Sequence, residues 1–147
     1  MSGSDHGAAQ LIERLVRAIN EHDLDALVSC FDEAYVNETP AHPDRGFRGR
    51  AQVHRNWAQI LSGVPDIQAR VPQVAVDGDT LWTEWEMSGT RPDGAAFLMR
   101  GVVIFTVTGR VATSARFYLE PVEHTSGDID VATSRVVGNA TNPKEFS

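Results

Sequence analysis

The 147 residues amount to one domain of chain, and 41% hydrophobic with 22% charged residues is the balance of a globular protein able to bury a core. Thirteen basic against twenty acidic residues leave a formal charge of −7. That balance argues against nucleic acid and anionic membrane as main partners, since both need a basic footprint.

In chain order, Leu11, Ile12, Leu15, Val16 and Ile19 recur on one face of a helix that His22-Asp23 breaks. Asp23 is read as the N-cap of a second short helix, with Leu24, Leu27, Val28 and Phe31 as its buried stripe. Residues 34–38 read as a short strand stopped by Pro40, and residues 40–49 as a Pro/Gly/charge loop. A third helix is predicted over 50–62, with Val53, Trp57, Ile60 and Leu61 on one face, His54 beside them, and Gly63 and Pro65 as the stop. Strands follow over 67–76, 81–88, 97–107 and 111–119, with turns at 77–79, 91–94 and 108–110. Their short hairpin links make an antiparallel sheet. After Pro121 comes a polar tail, 122–147, in which Ser126-Gly127-Asp128 starts a helix ending near Gly138 before nine frayed residues. The whole, 1–147, is read as a single domain. Helices on one face of a curved antiparallel sheet make an α+β fold, a cone with an interior cavity.

Several chemistries are disfavoured at the outset. Twelve of the thirteen basic residues are Arg, and Lys144 lies near the end, which nearly excludes a Schiff-base lysine in a core. Cys30 is alone and reads as a helix-packing residue, so neither a disulfide framework nor a Cys-type zinc site is expected. The histidines at 6, 22, 42, 54 and 124 have no metal-ligand spacing, so no metal is expected. No Gly-rich phosphate loop is present, so no nucleotide cofactor is implied. The first residues do not read as a secretory signal, and no apolar run approaches about 18 residues, so a cytoplasmic location is the expectation.

Phe31-Asp32-Glu33-Ala34-Tyr35-Val36-Asn37-Glu38-Thr39-Pro40, then Gly49-Arg50, Trp57, Val76-Asp77-Gly78-Asp79, residues 101–105 and Gly109-Arg110-Val111 follow one another in an order that resembles the SnoaL-like branch of the nuclear transport factor 2-like superfamily. Ketosteroid isomerases, polyketide cyclases and limonene epoxide hydrolases are its relatives. The resemblance covers about residues 8–121. It implies a cone-shaped, curved antiparallel sheet wrapped on N-terminal helices (an NTF2-like or cystatin-like α+β roll), cofactor-independent chemistry, and a homodimer through the sheet face. The isomerase's base falls on Glu38. Its oxyanion tyrosine falls on Leu15 and its second oxyanion acid near Gly101, so both donors are missing. The usual SnoaL-like acid falls near Val103, and the epoxide hydrolase acid near Arg116.

The candidate catalytic residues are Glu38, Arg116 and Tyr118. A carboxylate at a strand end facing an apolar cavity would have a raised pKa suited to a general base. The alternative for Glu38 is a surface residue or an ion pair with Arg. Arg116 could clamp an enolate and Tyr118 could donate to an oxyanion. Their alternative is the exposed or dimer-facing side of the sheet. Tyr35, His54, Trp57, Met99, Gly101, Val103 and Phe105 are the candidate pocket lining. His54 would hydrogen-bond a ligand or merely a carbonyl. Glu84 or Glu86 is the natural partner of Arg100 on the next strand. Three functions remain open. One is proton transfer of isomerase or cyclase type on a small hydrophobic oxygenated molecule, or hydrolysis in a related branch. The second is a non-catalytic binder with the same cavity. The third is a homodimeric interaction module, which exposed Trp82 or Trp85 would support.

Overall fold

A computed structural model describes residues 3–125 and 127–138. The helices are α1 (Gly3–Asn20), α2 (Leu24–Val28), α3 (Arg50–Gly63) and α4 (Ile129–Val136). The strands are β1 (Phe31–Glu38), β2 (Phe47–Arg48), β3 (Gln68–Asp77), β4 (Thr80–Thr90), β5 (Ala96–Thr108) and β6 (Val111–Pro121), with one 3-10 turn at Pro43–Arg45. They make an α+β fold. The six strands form one curved, unclosed sheet in the order β2-β1-β6-β5-β4-β3. The hairpin strands β3 to β6 are antiparallel. β1 lies parallel to β6, a pairing that the four strands and the helix between them in the chain allow, so the sheet as a whole is mixed. β2, a two-residue edge strand, falls within the stretch predicted to be loop.

Side-chain alternation sorts the sheet into two faces. Leu81, Thr83, Trp85 and Met87 of β4 and Val103, Phe105 and Val107 of β5 point inward and are buried. Leu11, Ile12, Leu15 and Ile19 of α1 complete that core. Within it the Trp85 Nε1–H donates to Thr83 Oγ1 at 2.7 Å, and the Thr83 hydroxyl donates to the Val103 carbonyl at 2.6 Å. Both polar groups are therefore satisfied inside the apolar layer.

The end of α1 is stapled to β3, an edge strand. Asn20 receives the Ala69 N–H at 2.6 Å and donates to its carbonyl at 3.0 Å, as a neighbouring strand would. His22 adopts a left-handed φ of 58°, which stops the helix and brings its Nε2 to 3.0 Å from the Ile67 carbonyl. Asp23 then caps α2 by accepting the Ala26 N–H at 3.1 Å. Pro72 interrupts the β3 ladder, and the register shifts between Arg70 and Gln73, a change tolerated because β3 is an edge. Cys30 is buried between α2 and β1, and burial raises its thiol pKa. Asp128 caps α4 through the Val131 N–H at 3.0 Å. Ser126 and the stretch expected to fray lie outside the described residues.

Candidate functional site

The concave face of the sheet and α3 enclose a partly open cavity of about 380 Å³. α3 supplies Val53, Asn56, Trp57 and Ile60, while β1 and the residue after it supply Phe31, Tyr35, Asn37 and Thr39. Arg45 and Phe47 come from the following turn and β2, and Met87, Phe97, Met99, Phe117 and Leu119 from β4, β5 and β6. A deeper chamber of about 20 Å³, room for one water, continues past Trp57 and Met87 to Leu15, Trp85, Val103 and Phe105.

The walls are apolar apart from a few groups. The buried Tyr35 hydroxyl donates to Asn37 Oδ1 at 2.7 Å. Burial pushes the phenol pKa up, so the ring stays neutral and keeps its proton for this bond. The edge of Phe31 packs on Tyr35 with centroids 4.9 Å apart, which fixes the ring. Among the described residues no hydrogen bond uses the Asn37 amide NH₂, and no fully buried side-chain N or O lacks a partner. Asn37 Nδ2 therefore opens onto the cavity as a donor. The bond from Tyr35 polarises the amide and strengthens that donor. Asn56 Oδ1 is occupied by Gln52 Nε2 at 2.8 Å.

Outside the cavity lining, at the end of β6, His42 Nε2 lies 2.5 Å from Glu120 Oε1, and the lining residue Arg45 places Nη1 4.0 Å from Glu120 Oε2. This joins the 40–46 turn to the end of β6. Among the described residues, no cluster of three or more His, Cys, Asp or Glu side chains is placed to hold a metal ion.

These features carry a family. Residues 12–114 match the SnoaL-like domain. The chain belongs to that family. This SnoaL-like chain also matches solved structures by shape. A Bacillus subtilis protein provisionally described as an isomerase superposes with a TM-score of 0.72 at 16% identity, over 81% of this chain and 90% of that one. An M. tuberculosis LEH-like epoxide hydrolase gives 0.69 at 16% identity, over 91% and 98%. The epoxide hydrolase/cyclase-like enzyme SalBIII, described in pyran ring formation in the polyether salinomycin, gives 0.68 at 20% identity, over 80% and 92%. At these identities the likeness concerns the fold alone. No curated protein matches the chain by sequence.

The predicted site residues separate between the two faces. Tyr35, Trp57 and Met99 line the cavity, and Val103 and Phe105 line the inner chamber. Glu38 is exposed and absent from the lining. It is three residues from Tyr35 along one strand, an odd step, so the two side chains take opposite faces. The expectation of Glu38 as a base in an apolar cavity is corrected on that ground. Arg116 and Tyr118 are exposed on the outer face, while Phe117 and Leu119 between and beside them face in. His54 is exposed, one position off the Val53–Trp57 stripe. Gly101 is not a lining residue: a Cβ there would stand 2.0 Å from the Tyr118 carbonyl, so its role is the close approach of β5 to β6. Leu15 and Val103, the positions onto which the resemblance maps polar catalytic groups, are apolar chamber walls. Glu86 pairs chiefly with Arg70, at 2.6 Å, and more loosely with Arg100, at 4.0 Å.

Sequence reasoning passed over Asn37, Arg45 and the His42–Glu120 pair. For Asn37 a signal existed. Once Tyr35 is placed in the pocket, alternation puts Asn37 there too. His42 and Glu120 are 78 positions apart, and no local pattern joins them.

Proposed function

We propose that this SnoaL-like chain binds a small, hydrophobic, oxygenated molecule in its cone-shaped cavity, without a cofactor. The observation that carries the reading is the Tyr35–Asn37 couple, which offers one polarised amide donor to a mainly apolar space of about 380 Å³. A carbonyl or hydroxyl oxygen on the ligand satisfies that donor, and the rest of the ligand buries apolar surface. Binding to the native state alone raises stability by RT ln(1 + [L]/Kd), about 2.7 kcal/mol at 100 times Kd. The test is a thermal-shift panel of apolar ketones, epoxides, steroids and aromatic polyketides on wild type and Asn37→Ala. An oxygenated class should raise the wild-type midpoint and raise that of Asn37→Ala less. Failure of every class to shift the folded wild type sinks the reading.

A second reading, proton transfer of isomerase or cyclase type, draws on the His42–Glu120 pair, which stands outside the cavity lining next to the lining residue Arg45. With Nε2–H donating to the carboxylate, Nδ1 keeps the lone pair that a general base needs. His42→Gln should then abolish turnover of a bound carbonyl compound, and Glu38→Gln should leave it intact. The reverse result would restore Glu38. The homodimer implied by the resemblance would use the outer sheet face, where Trp82 is 48% and Tyr118 39% exposed. A sedimentation profile that stays monomeric at high concentration would remove it.

A further inference from the structure

We infer that the cavity's ligand is an amphiphilic anion, an apolar body ending in a carboxylate that sits on Arg45; this rests on the binding function proposed above. Arg45 is the one ionised side chain among the described residues lining the cavity. It is 63% exposed yet still lines the space, so it stands at the opening. The ligand would therefore enter apolar end first and leave its charge at the rim.

The Arg45 backbone is held in place while the guanidinium donors remain free of hydrogen bonds among the described residues. The backbone is fixed in a tight turn, with the Arg45 N–H donating to the His42 carbonyl at 2.9 Å and the Gly46 N–H to Pro43 at 3.3 Å. Among the described residues its only ionic neighbour is Glu120 Oε2, at 4.0 Å, beyond hydrogen-bond length. The other oxygen of Glu120 is engaged by His42 at 2.5 Å. An arginine with unused forked donors matches a carboxylate in two parallel bonds. Thr39 adds a hydroxyl to the lining, and no carboxylate belongs to it. The net charge of −7 makes the chain as a whole unattractive to anions. Any preference for an acid over its neutral analogue must therefore come from a local cation.

The test uses biphenyl-4-carboxylate, its methyl ester and the neutral ketone 4-acetylbiphenyl, titrated by calorimetry into wild type, Arg45→Met and Arg45→Lys. The acid should bind wild type at least tenfold tighter than the ester. Arg45→Met should bring the acid to within twofold of the ester while the ester's own affinity stays unchanged. Arg45→Lys should keep part of the preference, and added salt should weaken it. Equal binding of acid and ester to wild type, or a preference that survives Arg45→Met, overturns the inference and leaves the binding function standing. Absence of binding by all three probes overturns the inference, and the binding function then falls only if the wider panel also fails to shift the folded wild type.

Discussion

The two faces of the sheet are made of the same strands, and neighbouring residues on them have opposite fates. On β4, Trp85 is buried under α1 with its N–H satisfied by Thr83, while Trp82 lies half in solvent. On β6, Phe117 and Leu119 wall the cavity, while Arg116 and Tyr118 face outward. The charged residues that look most catalytic in the sequence are on the outer face. The inner face offers neutral polar groups, with one arginine at its rim. Functional appearance in a strand is therefore subordinate to parity, because a one-residue step turns a side chain from cavity to solvent.

The sharpest way to break this comparison is a matched pair of tryptophan truncations. Trp85→Ala should cost about 3–5 kcal/mol by urea unfolding, as a large buried side chain leaves a cavity. Trp82→Ala should stay within about 0.5 kcal/mol for the monomer. Equal losses would mean that the outer face is covered. Next in size, Thr83→Val removes the acceptor of the Trp85 N–H and the donor to Val103, and should cost about 1–3 kcal/mol in the same assay.

Tyr35→Phe tests the polar couple of the inner face. It removes the hydroxyl bonded to Asn37 and should cost about 1 kcal/mol near neutral pH, with weaker binding of oxygenated ligands. It also carries a pH signature. Burial raises the folded-state phenol pKa, so its contribution is fully present below the ordinary tyrosine value of about 10 and is lost as pH rises further. The alkaline limb of wild-type stability should therefore be steeper than that of Tyr35→Phe.

The smallest effects belong to the exposed groups. Glu38→Gln and Arg116→Gln should each change stability by less than about 0.5 kcal/mol and leave ligand affinity unaltered. Asp66 accepts the Thr90 N–H at 2.8 Å and its hydroxyl at 2.9 Å, and these bonds hold its carboxyl below the usual range. Its contribution is present above the ordinary carboxylate pKa and is lost as pH falls through the lowered value. Asp66→Asn should lower the neutral plateau slightly and flatten the acid limb of a pH–stability profile, because the charge-dependent contribution is gone at every pH.

Much of the fold was legible because it is written in local patterns. The i, i+4 stripe of α1, the Asp23 cap and the hairpin turns each depend on residues a few positions apart, and the structure has them where those patterns point. The strand from 31 began earlier than expected because Phe31, read as the stripe of a helix, is the first inward residue of β1. The alternation of Phe117 and Leu119 with Arg116, Tyr118 and Glu120 was also in the sequence, as two sets on opposite faces, without a sign to say which set would be covered.

The sequence by itself determined the alternating sets, the caps, the turns and the family resemblance, because each needs only neighbours along the chain. Tertiary structure alone decided which set faces α3, that β1 joins β6 in parallel, and that Arg45, His42 and Glu120 meet at the end of β6. The reason is physical. Alternation has a period of two and carries no sign, so a strand's inward face is chosen only when a helix or another strand covers it. Contacts across 78 positions depend on the curvature of the whole sheet, which no short segment encodes.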